Sequence, residues 1–274
     1  MVADRIPKDA YAIIIGAMKC GTSSLYSYLE GHPEICPAVG KEPEFFSENQ
    51  AITLQVDNYS DLWSFNDSVH KYALEASTGY TKYPTEPNVP KKMYNYGIRP
   101  RFIYIIRNPF DRITSHYNFR IWDETWRLNI VDPHLINISN YFLQLEQYRK
   151  YFPLEDILIL DFDDLRNNPR SLLQRIYQFL DLSPGYFPDD YKVENPTPII
   201  TKFEKNLRIL KLYFLVNCIP NSIKKFGKKM LVRTFPPKKR ILTDVEKEFV
   251  YNELKQDMAH LHHIYGIDVS KWGF

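Results

Sequence analysis

The chain is poor in cysteine. Cys20, Cys36 and Cys218 are its only three thiols, odd in number and far apart. That excludes a disulfide-stapled scaffold and any zinc site built on closely spaced ligands, and it predicts reduced thiols in a cytosolic protein. Charge of one sign is also lacking: 35 Lys and Arg stand against 33 Asp and Glu, a formal net charge of +2. Nothing global therefore recommends nucleic acid as a partner, and any anion site must be local. No run is long and uncharged enough to span a bilayer, and the opening MVADRIPKDA has no apolar signal core, so the expectation is a soluble, cytoplasmic protein. Internal repeats and low-complexity segments are absent too. Aromatic residues, by contrast, are plentiful. The 20 Tyr and 17 Phe are scattered along the chain as core residues are, not gathered into a ligand platform. At 274 residues the chain is long enough to bury a full α/β core.

The stretch 11–30, YAIIIGAMKCGTSSLYSYLE, organises the rest. Tyr11–Ile15 is a short apolar run rich in β-branched residues that ends at Gly16, the pattern of a buried parallel strand. Gly21 follows after four residues, then Thr22, Ser23 and Ser24, hydroxyls able to cap a helix that runs to Glu30 and stops at Gly31, His32 and Pro33. Strand, glycine turn and helix start aim backbone N–H groups and the positive end of a helix dipole at one point, which favours a phosphate. The glycine spacing is that of a P-loop, but the lysine is not. A nucleotide-hydrolysing P-loop places it directly after the second glycine, where this chain has Thr22, and the loop's only lysine is Lys19. A turn that merely reverses the chain is the bland alternative. Cys20 in this loop reads as a small filler.

A short strand within Glu34–Val39 leads into GKEPEFFSEN, residues 40–49, where Lys41 and Glu42 stand side by side before Phe45 and Phe46. A solvated ion pair would be the default reading, yet the pair follows the first βα unit, where parallel sheets gather ligands at their carboxyl ends. Residues 49–68 read as a helix or a long substrate-side loop. Tyr72–Ala76 is a second core strand, ending in Ser77, Thr78, Gly79 and Tyr80, which leaves room for a ligand or simply turns. After a short helix around Lys91–Tyr96, the strand Arg101–Ile106 delivers Arg107 at its carboxyl end. Pro109 opens a helix carrying Arg112, Ser115 and His116 on its first two turns. Arg107 and Ser115 can then converge on one anion, for which arginine's planar fork is suited, although a structural salt bridge for Arg107 stays open.

Residues 121–133, with Trp122 and Trp126, suit either an acceptor-side lid or local packing. His134–Tyr151 reads as one helix with Leu135, Ile138, Phe142, Leu145 and Tyr148 on a face. Ile157–Asp161 is another buried strand, followed by a turn at Asp163–Leu165 and a helix from Arg170 to Leu182. A strand ending in aspartate is also what the metal strand of an NTPase looks like, and it is the best support for a P-loop kinase or NTPase. Residues 203–229 form a basic, apolar helical segment, 235–240 (FPPKKR) a proline-braked basic loop, and Thr243–Tyr265 an amphipathic helix with Thr243 as N-cap and Glu246 three residues on. No set of side chains has metal-ligand spacing, so no metal is expected. The fold class is α/β: a P-loop-type three-layer fold with a central, mostly parallel sheet flanked by helices. One domain spans 1–274, with a donor-binding core at 11–182 and a helical part at 183–274 closing the site.

Three separate motifs, GAMKCGTSSL, KEPEFF and RNPFDRITSHY, resemble the sulfotransferases that use 3′-phosphoadenosine 5′-phosphosulfate (PAPS), and the likeness extends through ILILDFDDLRNNPRSLLQRIYQFLDL to about residue 182. The resemblance implies that Lys19, Cys20, Gly21, Thr22, Ser23 and Ser24 form the 5′-phosphosulfate loop. It further implies that Arg107 and Ser115 bind the 3′-phosphate and that 3′,5′-adenosine bisphosphate (PAP) is the product. KEPEFF is similar to the heparan-type and bacterial branch, whose base is a glutamate; that implies a catalytic Glu42, with Lys19 and Lys41 assisting. His32, His116, His260, His262 and His263 lie in no comparable catalytic context. Lys238, Lys239 and Arg240 match the family's basic donor loop only loosely, and Cys218 has no evident partner for the disulfide that heparan-type enzymes carry. The implied acceptor is a small molecule, a secondary metabolite or a carbohydrate, reached through the loops 44–59, 80–90 and 122–133. A catalytically inactive nucleotide-binding protein is the remaining alternative.

Overall fold

Tyr11–Gly16 is apolar on both faces, and in the computed structural model this strand, β1, is buried at every residue, as the centre of a parallel sheet must be. The structure describes residues 6–48, 56–120, 128–191 and 239–274. Strands β2 (Ile35–Pro37), β3 (Tyr72–Ala76), β4 (Arg101–Ile106) and β5 (Ile157–Asp161) complete a five-stranded sheet in the order β2-β3-β1-β4-β5. All four neighbouring pairs are parallel. From β1 the chain travels outward to β2, returns to β3, then crosses to β4 on the other side. The order thus reverses around β1, and the crevice at such a switch point lies beyond the carboxyl ends of the strands. The loops after β1, β3 and β4 all open there.

Helices α1 (Thr22–Leu29), α2 (Val89–Tyr96) and α3 (Pro109–Arg120) follow β1, β3 and β4. Two features differ from expectation. The start of α1 is capped by no hydroxyl: Gly21 itself occupies the cap position in the left-handed region, at φ 89°, so Thr22, Ser23 and Ser24 belong to the first turn. The expected single helix over His134–Tyr151 is two helices, α4 (Pro133–Asn137) and α5 (Tyr141–Arg149). Tertiary partners make the break affordable by taking the backbone groups it exposes. Arg112 donates to Leu135 O and, through Nε at 2.5 Å, to Ser139 Oγ; Gln144 Nε2 donates to Asn137 O at 2.9 Å.

Beyond β5, the expected turn is a helix, α6 (Phe162–Asn167), and α7 (Pro169–Phe179) ends three residues before Leu182. Asp161 caps α6 by accepting from Asp163 N at 2.7 Å, and its other oxygen pairs with Lys271 Nζ at 2.5 Å. The final helix α8 (Asp244–Tyr265) has the expected reciprocal capping box between Thr243 and Glu246. Asp257 on α8 accepts from Phe142 N and Leu143 N at 3.0 and 2.9 Å, capping α5 from a distant part of the chain. Within 49–68 the described part holds one 3-10 turn, Tyr59–Leu62. The segment 203–229, with Cys218, and Trp122, Trp126 and Lys238 lie outside the described residues.

Candidate active site

The glycine turn after β1 is sterically required. A Cβ on Gly16, at φ 144°, would fall onto Thr81 Oγ1, and one on Gly21 would lie 2.8 Å from Leu165 and 3.0 Å from Phe162. Lys19 between them also has positive φ, 72°, uncommon for a residue with a side chain and a mark of a loop shaped by its surroundings. Its Nζ lies 4.0 Å from the centroid of Phe119 on α3. Burial, and then the charge of Arg107, lower the Lys19 pKa from 10.5 to about 8. Cys20 turns inward as a filler: its N–H donates to Ala17 O, and its buried thiol faces the Tyr141 hydroxyl at 4.0 Å, with burial raising its pKa to about 11.

Lys41 and Glu42 do pair, Nζ to Oε1 at 2.5 Å, with 22% and 41% of their side chains exposed. The other carboxylate oxygen of Glu42 accepts from Thr78 Oγ1 at 3.3 Å. Glu42 and Lys41 both lie close enough to Lys19 to act on its ionisation. The loop that carries the pair is braced against β3 and the turn after it. Ala76 N donates to Lys41 O, Gly79 N to Glu44 Oε1 at 2.7 Å, and Glu44 N to Ser77 Oγ at 3.0 Å. Beneath it, fully buried Glu75 accepts from Tyr59, Ser77 and Tyr80 hydroxyls at 2.5, 2.6 and 3.0 Å. Burial pushes the Glu75 pKa up to about 7. Tyr80 Oη in turn accepts from Phe46 N.

Arg107 stands where the end of β4 should put it. Its Nη1 donates to Lys19 O at 3.4 Å, Nη2 lies 3.7 Å from Asp111 Oδ2, and the guanidinium stacks over Phe162 at 4.6 Å. Lys19 and Arg107 are thus joined, and Ser115 follows two turns into α3. Pro109 opens that helix, with Asn108 Oδ1 accepting from Phe110 N at 3.0 Å.

The profile of the sulfotransferase domain matches residues 9–213. The chain belongs to the sulfotransferase family. Among curated sulfotransferases it is similar to heparan sulfate glucosamine 3-O-sulfotransferase 5 of Mus musculus, 28% identical over 201 residues, covering 67% of this chain and 56% of that one. It is also similar to the bifunctional heparan sulfate N-deacetylase/N-sulfotransferase 3 of Mus musculus, 26% identical over 208 residues, covering 67% of this chain and 23% of that one. This sulfotransferase-family chain therefore spans about half or less of the length of these relatives. A crystal structure of a sulfotransferase from Alicyclobacillus acidocaldarius superposes with a TM-score of 0.68 at 20% identity, over 98% of this chain and all of that one, and it supports the fold.

Several other polar residues have partners of their own. Asp161, the aspartate that invited comparison with an NTPase metal strand, is occupied by the α6 cap and Lys271. Among the described residues no cluster of three or more His, Cys, Asp or Glu is arranged to hold a metal. His116 is buried with Nδ1 facing Arg112 Nη1 at 3.3 Å; since the guanidinium can only donate, Nδ1 accepts, and burial beside that charge holds the ring neutral. His32 is a buried strut between Glu34 N and Ser183 O. In the basic loop, Arg240 exchanges hydrogen bonds with Asn118 on α3, N to Oδ1 at 3.0 Å and Nδ2 to O at 2.7 Å, while its guanidinium pairs with Glu246 at 2.5 Å. Lys239 is exposed. Sequence reasoning missed the Thr78 contact to Glu42 and the brace from Glu44 and Glu75. One signal was available for Glu75, a carboxylate inside an otherwise apolar strand, YALEA.

Proposed function

We propose that this chain transfers the sulfuryl group of PAPS to a hydroxyl or amine of a small-molecule or carbohydrate acceptor, with Glu42 as the base. One observation carries the reading: Lys19 on the glycine turn, Arg107 bonded to that lysine's carbonyl, and Glu42 held by Thr78 within electrostatic reach of Lys19 meet at one mouth of the sheet. The heparan sulfate named for the relatives favours a carbohydrate acceptor.

The residues present fit an anionic donor. Gly21, whose Cβ would clash, is the N-cap of α1 and makes no side-chain cap of its own, and a partly buried cation stands beside it. A bound donor supplies an activated sulfuryl group whose leaving group is PAP. Lys19 and the first-turn groups of Thr22, Ser23 and Ser24 would hold the 5′ side and offset the charge that develops there. Arg107 and Ser115 would hold the 3′-phosphate, with Lys239 and Arg240 bordering that side. Glu42 would take the acceptor proton as the acceptor atom bonds to sulfur and the bond from sulfur to the 5′-phosphate oxygen breaks. Thr78 and Lys41 keep its two oxygens aimed.

The test is incubation with PAPS and an acceptor panel that includes heparan-type oligosaccharides, read by mass spectrometry for gain of one SO3. Product with any member supports the reading. PAP binding without transfer to any of them would turn it toward a nucleotide-binding protein, and magnesium-dependent ATP binding toward a kinase.

A second expectation concerns pH. With its pKa near 8 in the free protein, Lys19 is partly neutral at pH 8, and a bound phosphate raises that pKa again. Binding of PAP at pH 8 should take up a fraction of a proton, and affinity should fall by about tenfold per unit at pH values well above the free-state pKa, until the pKa of the bound state is reached. Calorimetry in two buffers of different ionisation enthalpy measures the uptake, and Lys19→Arg should abolish it. A binding enthalpy independent of buffer would show that Lys19 is already fully charged in the free protein at pH 8.

A further inference from the structure

Arg107 lies one residue beyond the last ladder pair of β4 with β5, Ile106 opposite Asp161, so the sheet no longer holds its peptide groups. Among the described residues, one side chain holds them instead. The Tyr141 hydroxyl donates to Arg107 O at 2.7 Å and faces Arg107 N at 3.4 Å as its acceptor. The same oxygen lies 4.0 Å from Cys20 Sγ in the glycine turn. One buried hydroxyl thus touches both the turn that carries Lys19 and the residue that carries the guanidinium.

Tyr141 is itself firmly placed. It is the first residue of α5, and Asp257 accepts from the next two N–H groups, at 3.0 and 2.9 Å. Its ring is fully buried, packed edge-on against Tyr104 at 6.1 Å and near Trp272 at 6.3 Å. The tyrosine therefore ties Arg107 to a frame built by α5 and α8, outside the sheet.

The geometry points to Tyr141 as a positioning residue for donor specificity: by clamping both main-chain groups of Arg107 against the glycine turn, its hydroxyl sets where the guanidinium meets a nucleotide 3′-phosphate. This rests on the reading of Arg107 as the 3′-phosphate contact. A residue that served only stability would weaken binding of every nucleotide alike. A residue that positions Arg107 weakens PAP more than a nucleotide that lacks the 3′-phosphate.

The test is calorimetric titration of the full chain with PAP and with adenosine 5′-monophosphate, which differs only in lacking the 3′-phosphate. Tyr141→Phe removes the oxygen and keeps the ring. Its expected result is a loss of about tenfold in preference for PAP over the monophosphate, the scale of one hydrogen bond. An unaltered preference in Tyr141→Phe overturns the inference. Arg107→Ala in parallel separates the two layers: if it loses the preference and Tyr141→Phe does not, only the positioning role falls. If Arg107→Ala keeps the preference, the reading of Arg107 falls and this inference with it. Should Tyr141→Phe fail to fold, the buried hydroxyl proton of Tyr141 can be followed by NMR in the unaltered protein. A shift with PAP but not with the monophosphate supports the clamp, and equal shifts overturn it.

Discussion

Replacing Glu42 by glutamine should lower sulfuryl-transfer turnover by about 10²-fold or more while leaving PAP affinity unchanged, the scale of losing a general base. The substitution is well suited to the site. Glutamine keeps the length of the side chain and an oxygen able to accept from Thr78 Oγ1, now at 3.3 Å, so the loop around it keeps its shape. That loop is held mainly by other groups, Glu44 on Gly79 N and the Lys41 carbonyl on Ala76 N. The change therefore subtracts the proton acceptor and the charge opposite Lys41, and little else. Steady-state rates with a productive acceptor, beside a PAP titration, provide the measurement. Wild-type turnover in Glu42→Gln would remove it as the base, and lost PAP binding would place it in the donor site instead.

Arg107→Ala should weaken PAP binding by about 2–5 kcal/mol, the cost of deleting one member of a desolvated charge contact. The side chain is largely covered, at 22% exposure, and the guanidinium's present partners are weak: a carbonyl at 3.4 Å, an exposed carboxylate at 3.7 Å and an aromatic face. A fork so lightly engaged is available for a bidentate phosphate. For the same reason little folding stability should be lost, so calorimetry reads binding and not unfolding. A PAP titration identical to wild type would leave Arg107 as the structural cation that its sequence context also allowed.

Much of the fold was legible because it is written locally. β3, β4 and β5 coincide with the apolar runs 72–76, 101–106 and 157–161, and β1 adds only Gly16. Strands buried on both faces leave a continuous apolar signature, and the Thr243–Glu246 box needs only four residues to form. The break between α4 and α5 left no such mark, since the periodicity of 134–151 runs straight across it. The groups that stabilise it, Arg112 and Asp257, come from elsewhere in the chain.

The same division runs through the site. Sequence alone determined that a glycine turn, an adjacent Lys41–Glu42 pair and a strand-end arginine would stand at the carboxyl edge of a parallel sheet, because strand order and short motifs place main chain. Only the tertiary structure decided what each side chain meets: that Lys19 is partly buried and lies against Phe119, and that Thr78 holds Glu42. It also decided that Asp161 is taken by Lys271 and that Tyr141 grips Arg107. Those partners lie 34 to 110 residues apart, and burial and charge pairing at such separations depend on packing that no local pattern encodes.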